Sequence, residues 1–239
     1  MLPPSHIFQQ KINSFNTKYP HSRFNVFCRY KQRVETTGAS ILNQDNLDET
    51  TVHIDGMLRD PDWGLDQTGI PRYLKVRSIL EGVAGSYDKI RHIKLGDGRM
   101  ASIREELALA YRLLEQIANN KQSNNDPDQS GAYYVVAKSK VLMFIWGQTP
   151  GFDTQVRSHL VDRSYPPAPF QLPHVPQRQL LSGGENRRYT PDEFCNILEE
   201  LDEWVQKWPA NNGGQSLDSL YPAWPTGRII DVTYYLRDP

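Results

Sequence analysis

Between residues 191 and 208, apolar side chains fall at Phe194, Ile197, Leu198, Leu201, Trp204, Val205 and Trp208. This repeat of threes and fours lays one broad stripe along a helix. Thr190 stands ahead of it as N-cap, with Pro191 first and Glu193 third, so a capping box marks the helix start. The same spacing recurs over about 102–119, with Ile103, Leu107, Ala110, Tyr111, Leu114 and Ile117 on one face and Arg104, Glu105 and Glu106 in the first turn. Both segments predict helices docked on a core. Further helices are expected over 5–19 and 70–81. Residues 133–146 are apolar enough to be the central buried helix, and the tail 227–236 is apolar enough to dock back as the last one.

Strand signals are scarce. Residues 34–52 are polar, irregular and rich in Thr and Asn, and read as loop with a short hairpin. Residues 121–131 form an Asn/Asp/Ser-rich loop. Residues 164–188 carry Pro166, Pro167, Pro169, Pro173, Pro176, Gly183 and Gly184, a connection too long to be a passive link in a compact domain and therefore expected to be functional. The expected fold is mainly α and helical. It is either one domain over 1–239 or a bilobal arrangement, with 1–100 plus the C-terminal helices in one lobe and 101–165 in the other.

A chain of 239 residues is long enough for a sizeable core. Its net charge of −1 gives no global basic field that would advertise nucleic acid. The distribution changes that picture: 45–66 holds seven acids against one base, Arg59, whereas 72–104 holds eight Lys/Arg against three acids. Such segregation predicts a basic face despite the balanced sum. The two cysteines, Cys28 and Cys195, are too few for a disulfide framework or a four-cysteine iron–sulfur cluster and show no metal-ligand spacing. The N-terminus lacks the features of a signal peptide, and no run approaches the roughly 18 apolar residues of a membrane helix. A soluble, cytoplasmic protein without metal, cofactor, membrane or obligatory protein partner is expected.

The segment 138–160, KSKVLMFIWGQTPGFDTQVRSHL, concentrates the candidate chemistry. Its apolar run 141–146 predicts a buried helix ended by Gly147. Pro150 and Gly151 then build a tight turn that releases Asp153 at the start of a polar helix beginning Thr154, Gln155, Val156 and Arg157. A carboxylate placed there meets the positive end of a helix dipole. Read alone, Asp153 is an N-cap, a common role for Asp and one compatible with catalysis, because a cap also fixes the carboxylate.

The order of these residues resembles the second half of the helix-hairpin-helix Gly/Pro-Asp signature of DNA base-excision glycosylases. Phe152, Asp153 and Thr154 with Val156 and Arg157 are its most specific part. The chain departs from that signature ahead of the helix, where Ser130, Gly131, Ala132, Tyr133 and Tyr134 stand in place of the family's glycine-rich hairpin. The resemblance implies a helix-hairpin-helix glycosylase-like fold and a partner in double-stranded DNA carrying a modified base. It also implies that Asp153 stabilises oxocarbenium character at C1′ or positions the attacking water. Divergent members of this superfamily are associated with bacterial defence against phages with modified cytosines, including glucosylated hydroxymethylcytosine.

Around Asp153, Trp63, Asp66, Gln67, Tyr133 and Tyr134 are candidates for a flipped-base pocket, offering stacking surfaces and polar edges. Trp146, inside the apolar run, reads as core. Lys138, Ser139, Lys140, Arg157 and His159 are candidate DNA contacts, against the plainer reading of solvated helix residues. Bifunctional glycosylases use a lysine on the preceding helix as nucleophile, but it lies farther ahead of the aspartate than Lys138 and Lys140 do here, at 15 and 13 residues. Val135 stands nearer that place. The expectation is therefore a monofunctional glycosylase that leaves an abasic site. The rival readings are a catalytically silent DNA-binding or interaction module, with Asp153 as a cap, and a nuclease or abasic-site lyase using Lys138 or Lys140.

Overall fold

A computed structural model describes residues 2–58, 71–114, 134–152, 156 and 190–235, without the side chains of 134–137 and 235. Its eight α-helices are α1 (Ser5–Lys18), α2 (Arg23–Thr36), α3 (Leu47–Met57), α4 (Arg72–Ile90), α5 (Arg104–Leu113), α6 (Tyr134–Ile145), α7 (Pro191–Lys207) and α8 (Thr226–Tyr235). Short 3-10 turns cover Met100–Ile103, Pro209–Asn211 and Leu217–Leu220. No strand occurs among the described residues, so the protein is mainly α there. None of their helices is long and apolar enough to cross a membrane.

The long amphipathic helix forms as its spacing predicts. Thr190 Oγ1 accepts from Glu193 N–H at 3.2 Å while Glu193 Oε2 accepts from Thr190 N–H at 2.8 Å, closing the capping box at the start of α7. The stripe of α7 buries Phe194, Ile197, Leu198, Leu201 and Val205 against α5, where Tyr111 stacks on Phe194 with ring centroids 4.3 Å apart. The α5 segment begins as a 3-10 turn before turning α-helical at Arg104; its expected continuation to 119 lies outside the described residues beyond 114. α1 matches its expected span. It packs along α8, with Phe8 edge-on to Trp208 and the Trp208 indole donating to Pro3 O at 2.7 Å.

Two expectations are corrected. Residues 34–52 do not form a loop with a hairpin: α2 runs through Thr36 and α3 begins at Leu47. The Thr-rich composition misleads because these threonines are buried. Thr50 Oγ1 donates to Ile41 O at 2.6 Å and lies 2.9 Å from the Tyr30 hydroxyl, and Thr51 Oγ1 donates to Leu47 O at 2.7 Å. Satisfied hydroxyls can occupy the apolar face of a helix. Second, α4 extends to Ile90, well past residue 81, through Gly82 and Gly85. Val83, Tyr87 and Ile90 continue its buried stripe and outweigh the low helix propensity of the two glycines.

The expected basic face also changes. The acidic α3 lies beside the basic α4, and their charges meet: Arg72 pairs with both Asp55 oxygens at 2.5 and 3.0 Å, and Arg77 pairs with Asp48 at 2.7 Å. Lys89 reaches Glu106, Arg91 reaches Asp88, Arg99 reaches Asp97, and Arg104 reaches Glu199 and Asp192. Six of the eight bases in 72–104 are thus ion-paired within the fold.

Candidate active site at the 147–152 turn

The centre of the molecule is α6. Val141, Leu142, Met143, Ile145 and Trp146 are buried, and the Trp146 indole donates to Ile93 O at 3.1 Å. Gly147 ends the helix at φ +82°, a conformation that L side chains rarely adopt, and its N–H reaches back to Leu142 O at 3.2 Å. A Cβ there would also strike the Pro225 ring at 2.3 Å, so both dihedral and space require glycine.

From Gly147 the chain is tied down nearly residue by residue. Gly147 O accepts from Gly227 N–H of α8 at 3.0 Å, and Gln148 Oε1 accepts from Leu95 N–H at 2.9 Å. Thr149 Oγ1 donates to Pro150 O at 3.0 Å. Gly151 N–H donates to Asp231 Oδ1, and Phe152 N–H to Ser139 Oγ, both at 2.9 Å. Phe152 is buried edge-on against Phe194. The turn therefore arrives at residue 152 with both preceding amides held by buried side chains. That is the kind of rigid support that a catalytic group needs.

Asp231 is fully buried and closes a small ionic cluster. Its Oδ1 lies 3.3 Å from Lys140 Nζ, and its Oδ2 accepts from Arg228 Nη1 one helical turn earlier on α8. The Arg228 guanidinium also lies over the rings of Phe24, Phe15 and Trp224, at 4.5, 4.8 and 5.8 Å from their centroids. This cluster joins α1, α2, α6 and α8 around the turn. Removing one partner of such a buried pair costs about 3–5 kcal/mol, because the other charge is stranded. Nearby Cys28 is held as a thiol, since burial pushes its pKa up to about 12 despite the opposing influence of Arg228, Lys31 and Arg29.

Of the residues singled out from the sequence, the structure brings together Lys138, Ser139 and Lys140. All three face inward. Lys138 is buried with Nζ 3.9 Å above the Tyr111 ring, Ser139 holds the Phe152 amide, and Lys140 pairs with Asp231. They hold the turn from within. Tyr134 is described only as the first residue of α6. Asp153, Trp63, Asp66, Gln67, Tyr133, Arg157 and His159 lie outside the described residues.

Sequence reasoning missed Asp231, Arg228 and Gly227. A usable signal was present: Arg228 and Asp231 stand three residues apart in an otherwise apolar tail, the spacing of an intrahelical ion pair placed where charge would otherwise be unfavourable. Among the described residues no group of three or more His, Cys, Asp or Glu side chains is arranged to hold a metal ion. The chain matches no family model, no curated protein and no solved structure.

Proposed function

We propose that the protein is a monofunctional DNA glycosylase of the helix-hairpin-helix type, which excises a modified base by base flipping and N-glycosidic hydrolysis. Asp153 is its catalytic carboxylate. The observation that supports this reading is the turn ahead of Asp153: a buried helix ends at Gly147, and the Gly151 and Phe152 amides are anchored by Asp231 and Ser139. A carboxylate that must stabilise a short-lived oxocarbenium charge works best when its support needs no rearrangement during the reaction. The turn preceding Asp153 has that character, and its residues are those on which the resemblance to the glycosylase signature rests.

In this reading the flipped base lies among Trp63, Asp66, Gln67, Tyr133 and Tyr134, and Arg157 and His159 contact flanking phosphates. Lys138, Ser139 and Lys140 serve the site from the protein interior. The substrate is a bulky modified cytosine, with glucosylated hydroxymethylcytosine of phage DNA as the first candidate. Hydrolysis by an activated water leaves an abasic site and needs no lysine nucleophile.

The test uses the purified protein and Asp153→Asn on unmodified, uracil-containing, alkylated and glucosyl-hydroxymethylcytosine DNA, scoring released base and alkali-sensitive abasic sites. Release from one substrate, abolished in Asp153→Asn with DNA binding retained, is the expected result. No release from any substrate, with equal DNA binding by both proteins, would replace this reading with a catalytically silent binding module. A borohydride-trapped covalent complex would instead indicate a lyase.

A further inference from the structure

Asp231 is more elaborately placed than packing requires. It sits fully buried at the junction of α8 and the 147–152 turn, with three donors converging on it: Gly151 N–H, Lys140 Nζ and Arg228 Nη1. Replacing a buried ionic group by apolar side chains of similar volume is often neutral or stabilising, so such a cluster calls for a role beyond stability. The direction of its hydrogen bonds suggests the role. Oδ1 faces the Gly151 amide, and Ser139 Oγ takes the amide of the next residue, Phe152. Successive Cα atoms lie about 3.8 Å apart across a trans peptide. Fixing the Gly151 and Phe152 amides therefore fixes the point from which residue 153 departs.

We propose that Asp231 is a positioning residue for the Asp153 carboxylate, acting through the Gly151 amide; this role rests on the glycosylase reading. A carboxylate suits the task because it accepts hydrogen bonds at both oxygens and donates none. Lys140 and Arg228 hold it in register, while the cage of Phe15, Phe24 and Trp224 fixes the Arg228 end. Asparagine keeps nearly the same shape but has one acceptor oxygen, so its amide nitrogen must face a donor, whether Gly151, Lys140 or Arg228. The turn then shifts. A displacement of about 1 Å at a reacting group is enough to lower a rate about 100-fold.

The experiment compares the wild-type protein, Asp231→Asn and the double variant Asp231→Asn/Arg228→Met on the DNA that the wild type excises. Single-turnover excision rate, Kd for uncleaved substrate and Tm are measured for each. In Asp231→Asn the excision rate should fall about 100-fold with Kd unchanged, since the reacting carboxylate moves and the DNA contacts do not. The double variant removes the stranded cation, so its Tm should recover while its rate stays low. It also supplies the measurement if the single variant does not fold.

An excision rate that recovers with Tm would make Asp231 a stability residue only and overturn the proposal. So would a folded Asp231→Asn with the wild-type rate, or failure of both variants to fold. The two levels of inference fail differently. If the wild type releases no base from any DNA, the glycosylase reading fails and the positioning role falls with it. If the wild type is active, Asp153→Asn is inactive and Asp231→Asn is fully active, only the positioning role fails.

Discussion

At Gly227 the space for a side chain is already filled by backbone. A Cβ there would lie 2.5 Å from Thr149 N and 2.7 Å from both Gln148 C and Gly147 O, and none of these is the tip of a side chain that could swing away. Gly227→Ala must push α8 off the turn, weakening the Gly227 N–H to Gly147 O bond of 3.0 Å on which the contact is built. The expected cost is about 1–3 kcal/mol, read as a lower urea midpoint at unchanged m-value; unaltered stability would mean that helix and turn are not so close. The two glycines of this contact differ in how well the sequence revealed them. Gly147 follows a continuous apolar run and precedes Pro150 and Gly151, so its role as a helix stop is local and legible. Gly227 is required by residues about 80 positions away in the chain, and a contact of that range leaves no local pattern. The same holds for Asp231, whose partners Gly151 and Lys140 are equally remote, and only its spacing from Arg228 hinted at burial.

Helices were legible where one face was apolar and the ends carried their own signals, and α7, with its stripe and capping box, is the clearest case. Helices α2 and α3 were not, because part of their inward face is polar in name: Tyr30, Thr50, Thr51 and His53 belong to the packed surface. His53 gives this pair of elements a pH dependence. Its ring lies 4.9 Å from that of Tyr30 and 5.7 Å from that of Phe27, and burial lowers its pKa, with Glu49 opposing and Arg33 adding to the effect. The folded state thus favours the neutral imidazole, and the unfolded chain takes up the proton first as pH falls. Stability from this site is present above the unfolded pKa of about 6.5 and is lost as pH falls through it towards the lower folded value. Between pH of about 7.5 and 5.5, therefore, the wild-type Tm should fall more steeply than that of His53→Gln. Parallel pH profiles for the two proteins would show that the imidazole is not coupled to folding.

At the scale of the whole molecule, charge is where sequence and structure part most clearly. Counting Lys and Arg along 72–104 suggests a cationic surface, but α3 and α4 fold against each other and Arg72 and Arg77 are paired with Asp55 and Asp48. The Arg77 hydrogen bond holds the Asp48 carboxyl below its ordinary pKa, so the pair remains charged and matched through the neutral range. A matched pair at the surface adds little to the field felt by a polyanion, and few counterions would be released through it on DNA binding. If the protein binds DNA as proposed, phosphate contacts come from elsewhere, with Arg157 the first candidate from the sequence. The comparison is direct. Arg157→Ala should reduce the slope of log K against log salt by about 1, whereas Arg77→Ala should leave that slope and the affinity nearly unchanged. A smaller slope in Arg77→Ala would mean that α4 exchanges Asp48 for a phosphate when DNA arrives, turning the α3–α4 pairing from a fixed feature of the fold into a competitor for the ligand.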